Sequence, residues 1–271
     1  MREITDIKEI QSIALGVLVY IDKICKENNI EYSLAGGTAL GAVRHGGFIP
    51  WDDDIDIVMT RPNYEKFLSV MDNTSSDKYK CLHYGKDFPN YFYRFAKVCD
   101  LSTTLEEGKY IHNRELGISV DVFPSDGVDE KNIKKVFKKA KYYGAMLMVS
   151  ASKKYTKSPH GFLRSVVKFF GYLYAKIWGW KHWHNKYEKL VSKYQFEDHN
   201  KTLVYCGMYG LNEVFDKDIY SNLSTISFEG IIFPVVNDTD KYLKALYKNY
   251  MQLPPKEKQV SHHEFKIYKK D

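Results

Sequence analysis

Apolar residues recur every three or four positions near the start of the chain, and this spacing predicts a long amphipathic helix over residues 6–28. Asp6 is the expected N-cap, and Glu9 is the second residue of a capping box. Asn28 and Asn29 tolerate the left-handed backbone at which such a helix ends. The apolar positions that share one face are Ile7, Ile10, Ile13, Ala14, Val17, Leu18, Ile21, Ile24 and Cys25.

The pattern then changes to short alternating runs separated by glycine and proline. We expect a strand over residues 30–34, a glycine turn at 36–38, a short helix over 38–45, a strand over 55–59 and a helix beginning near Pro62. Further elements follow in the order strand 91–98, strand 117–123, helix 132–143 with a solvated lysine face, helix 187–193, hairpin 227–235 and helix 240–250. This order predicts an α/β (α+β) fold, a mixed sheet flanked by helices with additional helical segments.

Residues 161–183 are rich in aromatic and aliphatic side chains. Arg164, Lys168 and Lys176 interrupt the run, so it cannot supply the ~20 predominantly apolar residues that a membrane-spanning helix needs. On a helix these cations fall within about 120° of one another, which leaves a broad apolar face. Two interpretations remain: a core helix whose cations reach solvent, or a helix that lies in a membrane interface.

We expect three regions along the chain. Residues 1–150 form the catalytic core, and residues 151–225 form an aromatic-rich helical insertion that offers an acceptor or membrane surface. Residues 226–271 complete the core with the C-terminal hairpin and helix.

The amino-acid composition argues against several classes of protein. With 271 residues, 44% hydrophobic, and a net charge of +6, the chain is large enough for a folded enzyme but lacks the basic, arginine-rich pattern of a nucleic-acid module. The cysteines show no C-x-x-C spacing, which argues against structural zinc or a disulfide scaffold; they are Cys25, Cys81, Cys99 and Cys206. The N-terminus has no apolar signal-peptide core, so we expect a cytoplasmic protein, with peripheral contact to the inner face of the membrane under the interfacial interpretation.

The acidic residues within and just before the apolar strand at residues 55–59 are the candidate catalytic residues. Asp54 and Asp56 point to the same face about 6 to 7 Å apart along the backbone. Hard oxygen ligands without His or Cys favour Mg²⁺ or Mn²⁺, which commonly act with phosphates as co-ligands. An acidic turn before a strand is the alternative. A calcium-binding loop is excluded because Val58 and Met59 occupy a ligand position and the turn-glycine position.

The turn Gly36-Gly37-Thr38 lies between a strand and a helix, where backbone N–H groups can meet phosphate oxygens. Together with the acidic strand it indicates a nucleotidyltransferase-like site, in which a neighbouring strand adds a third carboxylate. Asp121 sits in the apolar run 117–123 and is the candidate. A salt-bridged structural role for Asp121 is the alternative.

One longer stretch has a recognisable pattern. Residues 36–57 read GGTALGAVRHGGFIPWDDDIDI, and they closely resemble the LicD family of phosphocholine transferases. The similarity continues through residues 94–104, 120–124 and 228–255 and reaches His262 and His263. No matching motif covers residues 150–222.

The resemblance implies a nucleotidyltransferase-like enzyme whose donor is a CDP-alcohol, above all CDP-choline. A sugar hydroxyl of a cell-envelope glycan such as lipopolysaccharide or teichoic acid, free or lipid-linked, would attack the phosphorus bearing choline and release CMP. Asp54 and Asp56 would bind Mg²⁺ or Mn²⁺, and Asp121 would bind metal or deprotonate the hydroxyl. The implied donor contacts are phosphate binding by Gly36, Gly37 and Thr38, diphosphate binding by Arg44 and Lys97, and a donor contact by His45. For Arg44, Lys97 and His45, a surface or helix-end charge without contact to the donor is the alternative.

Two other functions remain compatible with the sequence. A nucleoside-triphosphate-dependent nucleotidyltransferase would share the acidic strand and glycine turn but release pyrophosphate. A non-catalytic nucleotide- or glycan-binding regulator would retain the fold alone. The sequence assigns no part to Asp52, His262 or His263, and it singles out no aromatic residue for the choline group.

Overall fold

The computed structural model describes residues 1–85, 90–111, 113, 115–159, 161–260 and 265–270. Its α-helices are α1 Ile7–Glu27, α2 Gly36–His45, α3 Arg61–Asn73, α4 Ile133–Ala151, α5 Phe162–Val191 and α6 Thr239–Tyr247. Its strands are β1 Arg2–Ile4, β2 Ser33–Leu34, β3 Ile55–Thr60, β4 Tyr79–Leu82, β5 Ala96–Asp100, β6 Thr103–Glu107, β7 Ser119–Gly127, β8 Lys201–Leu203, β9 Phe215–Asp216, β10 Ser224–Phe228, β11 Ile231–Val235 and β12 Phe265–Lys269.

Within the described residues, the larger sheet is mixed and has nine strands. Its main path runs β10-β11-β2-β3-β7-β5-β4, and β8 and β9 extend from β7. Strands β3 and β7 are parallel, whereas β2 and β5 run antiparallel to their neighbours in the centre. Helices α1 and α3 pack on these central strands. The predicted α/β architecture is confirmed.

The hydrophobic core lies where alternate residues of β3 and β7 are fully buried. Ile55, Ile57, Val120 and Val122 are all 0% exposed. The intervening side chains of both strands, including Asp56 and Asp121, retain some exposure. This period of two separates a packing face from a polar face on adjacent strands.

A second sheet of three strands joins distant parts of the chain. β12 lies between β1 and β6, antiparallel to both. None of these strands is predicted from the hydrophobic pattern, because each is short and acquires its hydrogen bonds only from partners far away in sequence.

The first helix follows its prediction in extent but differs at its cap. The Asp6 carboxylate accepts a hydrogen bond from the Lys8 N–H at 2.9 Å, as an N-cap does. Glu9 pairs with the Arg2 guanidinium, 3.0 Å from Nη1, so the expected capping box is wrong. At the C-terminal end, Asn29 takes the left-handed conformation, with φ of 50°.

Two predicted strands are shorter than expected. Residues 91–95 are not part of a strand, and β5 begins at Ala96. Tyr91 and Phe92 are nevertheless 1% and 0% exposed, because each enters a different small hydrophobic cluster from a loop. The aromatic residues therefore indicated correctly that this segment is buried, but the strand predicted from them was not found. The strand expected over residues 30–34 is reduced to Ser33–Leu34.

The hairpin and the cysteines agree with their predictions. Strands β10 and β11 join through Glu229 and Gly230, both with positive φ, the backbone that a two-residue hairpin turn requires. All four cysteines are buried and carry free thiols.

Helix α5 joins the aromatic-rich segment 161–183 to the helix predicted over residues 187–193. Gly179, with φ of 73°, interrupts the helical backbone within the first of these segments. Before this kink, most of the large apolar side chains of α5 are exposed to solvent, so the interpretation of residues 161–183 as a core helix is wrong. Among the described helices, none has the length and apolar character needed to cross a membrane.

Candidate active site

Three neighbouring strands bring the predicted polar residues together. In the parallel pair β3–β7, Asp56 is directly opposite Asp121. In the antiparallel pair β5–β7, Lys97 is directly opposite Asp121. Two carboxylates and one ammonium group therefore lie side by side across the centre of the larger sheet, in the order Asp56, Asp121 and Lys97. Asp54 lies one residue before β3.

Burial and neighbouring negative charges both act against the ionised form of Asp56. Burial raises the pKa of its carboxyl group well above the usual value, and the charges of Asp54, Asp121 and Asp52 raise it further. Lys97 acts in the opposite direction but does not cancel these effects. A buried carboxylate among like charges is unfavourable unless a cation joins it.

The glycine turn approaches these carboxylates closely. A Cβ atom at Gly36 would lie 3.1 Å from Asp56 Oδ2, and one at Gly37 would lie 3.0 Å from Asp52 Oδ2. Gly36 also has φ of 50°, which L side chains rarely adopt. Both positions therefore favour glycine. This close approach places the N-terminus of α2, which has a partial positive charge, next to Asp52 and Asp56.

Hydrogen bonds fix the turn to the strand beside it. The Asp56 N–H donates to Thr38 Oγ1 at 2.8 Å, and the Ala35 N–H donates to the Asp56 carbonyl at 3.0 Å. The Gly36 N–H donates to the Tyr242 hydroxyl at 3.1 Å. The Thr38 hydroxyl thus holds the backbone of Asp56 in place. Phosphate binding by Gly36, Gly37 and Thr38 stays a prediction. To donate to a phosphate oxygen, the Gly36 N–H would have to give up its hydrogen bond to the Tyr242 hydroxyl.

Lys97 is held in the site by both charge and aromatic rings. Its Nζ donates to Asp121 Oδ1 at 2.5 Å, and it lies 4.8 Å and 5.2 Å from the ring centres of Tyr93 and Phe95. These rings stabilise a cation through their negative faces. Lys97 is positioned to neutralise negative charge near Asp121, and its contact with a diphosphate stays a prediction.

The donor set is suited to Mg²⁺ or Mn²⁺. Asp54, Asp56 and Asp121 offer only oxygen atoms, and the raised pKa of Asp56 reflects negative charge that a divalent cation would relieve. Within the part of the chain that the structure describes, no three acidic, histidine or cysteine side chains form a ready-made metal-binding group. Magnesium that acts on phosphates is commonly held by one or two carboxylates together with phosphate oxygens. Substrate would therefore complete the coordination shell.

Arg44 and His45 lie at the other end of α2, eight and nine residues after Gly36. This separation is about 12 Å along a helix that rises 1.5 Å per residue. The Arg44 guanidinium donates to the Tyr250 carbonyl at 2.9 Å and to His45 Nε2 at 3.0 Å. Burial, then the charge of Arg44, lower the pKa of His45. A donor that contacts both this end of α2 and the carboxylates would extend along the helix, and donor contacts by Arg44 and His45 stay predictions.

Replacing Arg44 by alanine is expected to raise the KM for the donor about tenfold and to leave the KM for the acceptor unchanged. Steady-state kinetics with each substrate varied in turn measures this. Arg44→Lys is the matched control, because it keeps the charge but loses the paired geometry of the guanidinium. Unchanged donor kinetics together with a lower Tm would assign Arg44 to the structural link between α2 and Tyr250.

A cavity of about 510 Å³ opens beside the acidic cluster. Asp54, Lys97 and Asp121 form its polar end. The rest of its wall is mainly apolar and aromatic, and includes Tyr93, Phe95, Leu105, Tyr110, Leu116, Ile118, Met148 and Ile267. This is room for a small organic group next to the carboxylates.

Three tyrosines near the glycine turn are not identified from the sequence. Tyr242 accepts the Gly36 N–H, and Tyr247 hydrogen-bonds Tyr209 through their hydroxyl groups. Burial raises the pKa of Tyr209 to about 12, and the nearby charges of Asp56 and Asp52 contribute. They come from distant segments, and the chain has 22 tyrosines, so no local signal distinguishes these three.

Glu229 is a further residue that local reasoning misses. Its carboxylate accepts the Phe48 N–H at 2.9 Å, and its own N–H donates to the Gly46 carbonyl at 2.9 Å. A Cβ atom at Gly47 would collide with this carboxylate. The hairpin β10–β11 therefore fastens the loop that follows α2. His262 and His263 lie outside the described residues.

The chain is similar to several known proteins. Residues 29–143 match the sequence model of a family described as LicD/FKTN/FKRP, nucleotidyltransferase domain. Lipopolysaccharide cholinephosphotransferase LicD of Haemophilus influenzae is 30% identical over 97% of this chain and 97% of its own length. Ribitol 5-phosphate transferase FKRP of Homo sapiens is 45% identical over 38 residues, 14% of this chain and 8% of its own. An uncharacterized protein of Rickettsia prowazekii is 57% identical over 35 residues, 13% of each chain.

Proposed function

The chain belongs to the LicD family, and from this premise we propose that it is a metal-dependent phosphotransferase that moves phosphocholine from CDP-choline to a glycan hydroxyl. The single observation that carries the proposal is the alignment of Asp56, Asp121 and Lys97 across three adjacent strands. The N-terminus of α2 meets the same carboxylates. This combination suits a substrate with two phosphates and a bound divalent cation.

The proposed reaction is a displacement at phosphorus. The acceptor oxygen forms a bond to the phosphorus that bears choline, and the bond from that phosphorus to the bridging diphosphate oxygen breaks. CMP leaves with the electron pair of that bond, and the hydroxyl proton passes to a base. In such reactions the protein contributes mainly positioning and charge stabilisation.

Each residue has a defined part in this proposal. Asp54 and Asp56 hold the cation, and Asp121 either shares it or accepts the hydroxyl proton. Lys97 neutralises negative charge on the diphosphate. The bound Mg²⁺ or Mn²⁺ supplies charge neutralisation at the phosphate oxygens. Thr38 keeps the strand backbone at Asp56 in register with the turn.

The cavity beside the carboxylates is our candidate for the choline group. A quaternary ammonium ion binds aromatic faces and nearby carboxylates without needing hydrogen bonds. Tyr93, Phe95 and Tyr110 supply aromatic surface there, and Asp54 lies at the polar end. Phosphocholine placed in this cavity would have its phosphorus toward Asp121 and the CMP portion toward α2.

Tyr93→Leu is expected to raise the KM for CDP-choline about two- to thirtyfold, because a cation–π contact contributes roughly 0.5–2 kcal/mol. The KM for a CDP-alcohol with an uncharged head group should rise less, because that donor loses only the support that the Tyr93 ring gives to Lys97. Tyr93→Phe keeps the ring and is the matched control. Equal losses for the charged and uncharged donors would place the choline group elsewhere.

The acceptor and location follow from the same proposal. The Haemophilus relative is named for lipopolysaccharide, so the proposed acceptor is a sugar hydroxyl of a cell-envelope glycan such as lipopolysaccharide or teichoic acid, free or lipid-linked. CDP-alcohols are cytoplasmic metabolites in this scheme, and the enzyme would meet them on the cytoplasmic side of the membrane.

A donor panel distinguishes this proposal from its alternatives. Purified protein is incubated with CDP-choline, a second CDP-alcohol or CTP, and the nucleotide product is identified. Release of CMP from CDP-choline in the presence of acceptor supports the proposal. Pyrophosphate from CTP would instead indicate a triphosphate-dependent nucleotidyltransferase, and nucleotide binding without turnover of any donor would indicate a regulator.

A further inference from the structure

Helix α5 is oriented with its apolar face toward solvent. Ser165, Ala175 and Lys176 face the protein: Tyr155 donates to the Ser165 carbonyl, Ala175 is fully buried, and Lys176 Nζ donates to the Ser152 carbonyl. The exposed large apolar side chains before the Gly179 kink are Phe162, Leu163, Val167, Phe169, Phe170, Leu173, Tyr174, Ile177 and Trp178. At about 100° per residue they fall within an arc of about 180°.

The exposure of this face is extensive. Phe162 is 85% exposed, Leu163 76% and Ile177 80%. Contiguous apolar surface of this kind on a folded protein marks a site that binds another surface. The face ends at the Gly179 kink, after which Trp183, 3% exposed, returns to the core.

The lysine, arginine, aspartate and glutamate positions in the sequence around this face are all lysine or arginine. Residues 131–187, which include α4 and the outward part of α5, contain fourteen lysine and arginine residues and no aspartate or glutamate. The rest of the chain carries 26 basic and 34 acidic residues. Lys153, Lys154 and Lys157 are exposed just before α5, and Arg164 and Lys168 are exposed beside the apolar arc.

We propose that this apolar face of α5 docks on an anionic phospholipid membrane. Apolar and aromatic side chains would enter the boundary between head groups and acyl chains, while the surrounding cations attract anionic lipid. A second copy of the chain is the less favourable occupant, because two strongly basic surfaces would face each other across the contact.

A groove on the inward side of α5 shares lining residues with the candidate active site. This groove of about 310 Å³ between α4 and α5 is lined by Tyr110, Met148 and Tyr172 among others. Tyr110 and Met148 also line the cavity at Asp54 and Asp121. A lipid-linked glycan acceptor would extend along this groove from the docked helix toward the carboxylates. Docking itself does not depend on the identity of the donor.

Vesicle flotation of the full chain tests the proposal, with phosphatidylcholine vesicles compared with vesicles that also contain phosphatidylglycerol. We expect binding to the anionic vesicles that weakens at high ionic strength. Val167→Glu combined with Ile177→Glu should weaken binding at least about tenfold. Val19→Glu is the matched control, since Val19 is an exposed helical valine on α1, and it should bind as the wild type does.

Several outcomes would overturn the proposal. One is absence of binding to anionic vesicles at low ionic strength, and another is equal binding by the double variant. A wild-type dimer that becomes a monomer in the double variant, with neither binding vesicles, would identify a second copy as the occupant. Because flotation contains no donor and no acceptor, failure here leaves the proposed reaction untouched. Turnover of a water-soluble acceptor, measured in parallel, should be equal in the double variant and the wild type.

Discussion

Asp56→Asn is expected to lower kcat by about three orders of magnitude or more, because the phosphates and the cation that bridges them lose a ligand worth several kcal/mol in the transition state. The apolar face of β3 is unchanged by this substitution, so the fold should survive. Asp54→Asn should have the same effect on turnover. Near wild-type kcat in either variant at saturating Mg²⁺ would remove the assigned metal-binding role of that residue.

The same variant should be more stable than the wild type in the absence of metal. The folded-state pKa of Asp56 is raised by burial and by neighbouring carboxylates, so its ionised form opposes folding. This penalty is complete above the folded-state pKa, and it declines as pH falls through that pKa toward the unfolded value. Asparagine carries no charge and removes the penalty, which predicts a higher Tm at neutral pH and a weaker pH dependence.

Thermal denaturation with and without Mg²⁺ measures both effects. Magnesium should raise the Tm of the wild type, because a ligand that binds the folded state stabilises it. It should raise the Tm of Asp56→Asn much less. A variant that is less stable than the metal-free wild type would contradict the electrostatic account of Asp56.

Asp121→Asn and Asp126→Asn should separate catalysis from stability on a single strand. Asp121 faces Lys97 and Asp56 across the sheet, and its replacement should lower kcat about a thousandfold with little change in Tm. Asp126 is buried five residues later on β7 and accepts from Arg61 at 2.6 and 3.0 Å. Its replacement should lower the free energy of unfolding by about 2–4 kcal/mol and leave kcat unchanged.

Kinetics and chemical denaturation of both variants provide the measurement. The two substitutions are chemically identical and lie on the same strand, so general effects of replacing a carboxylate by an amide are matched. An Asp121→Asn protein that turns over normally but unfolds more easily would assign Asp121 to a structural ion pair. Loss of kcat in Asp126→Asn would extend the active site toward Arg61.

Local patterns were sufficient to predict the elements that carry the site. The period of two at Ile55 and Ile57 located β3, and it indicated that Asp54 and Asp56 share a face. The order of residues around Gly36 placed a glycine turn before a helix, which the structure has as α2. The prediction of Asp121 as a site residue depended on an expectation about the fold, because its alignment with Asp56 comes from the pairing of two strands about 65 residues apart.

Features that depend on distant partners were not predictable in this way. The sheet of β1, β12 and β6 joins both ends of the chain, and Tyr242 meets Gly36 across 206 residues. Helix α5 illustrates a different limit. Periodicity showed which residues share a face of this helix, but the same pattern fits a face that is buried and a face that is exposed.

The central claim concerns a metal-dependent transfer of phosphocholine, and one reaction tests it most directly. Purified protein, CDP-choline and an envelope glycan are incubated with Mg²⁺, after chelation, and after Mg²⁺ is restored, and both CMP and phosphocholine-modified glycan are quantified by mass spectrometry. The account predicts equal amounts of the two products, their loss on chelation and their recovery with Mg²⁺. Equal turnover in the chelator, or glycan modification without CMP release, would contradict it.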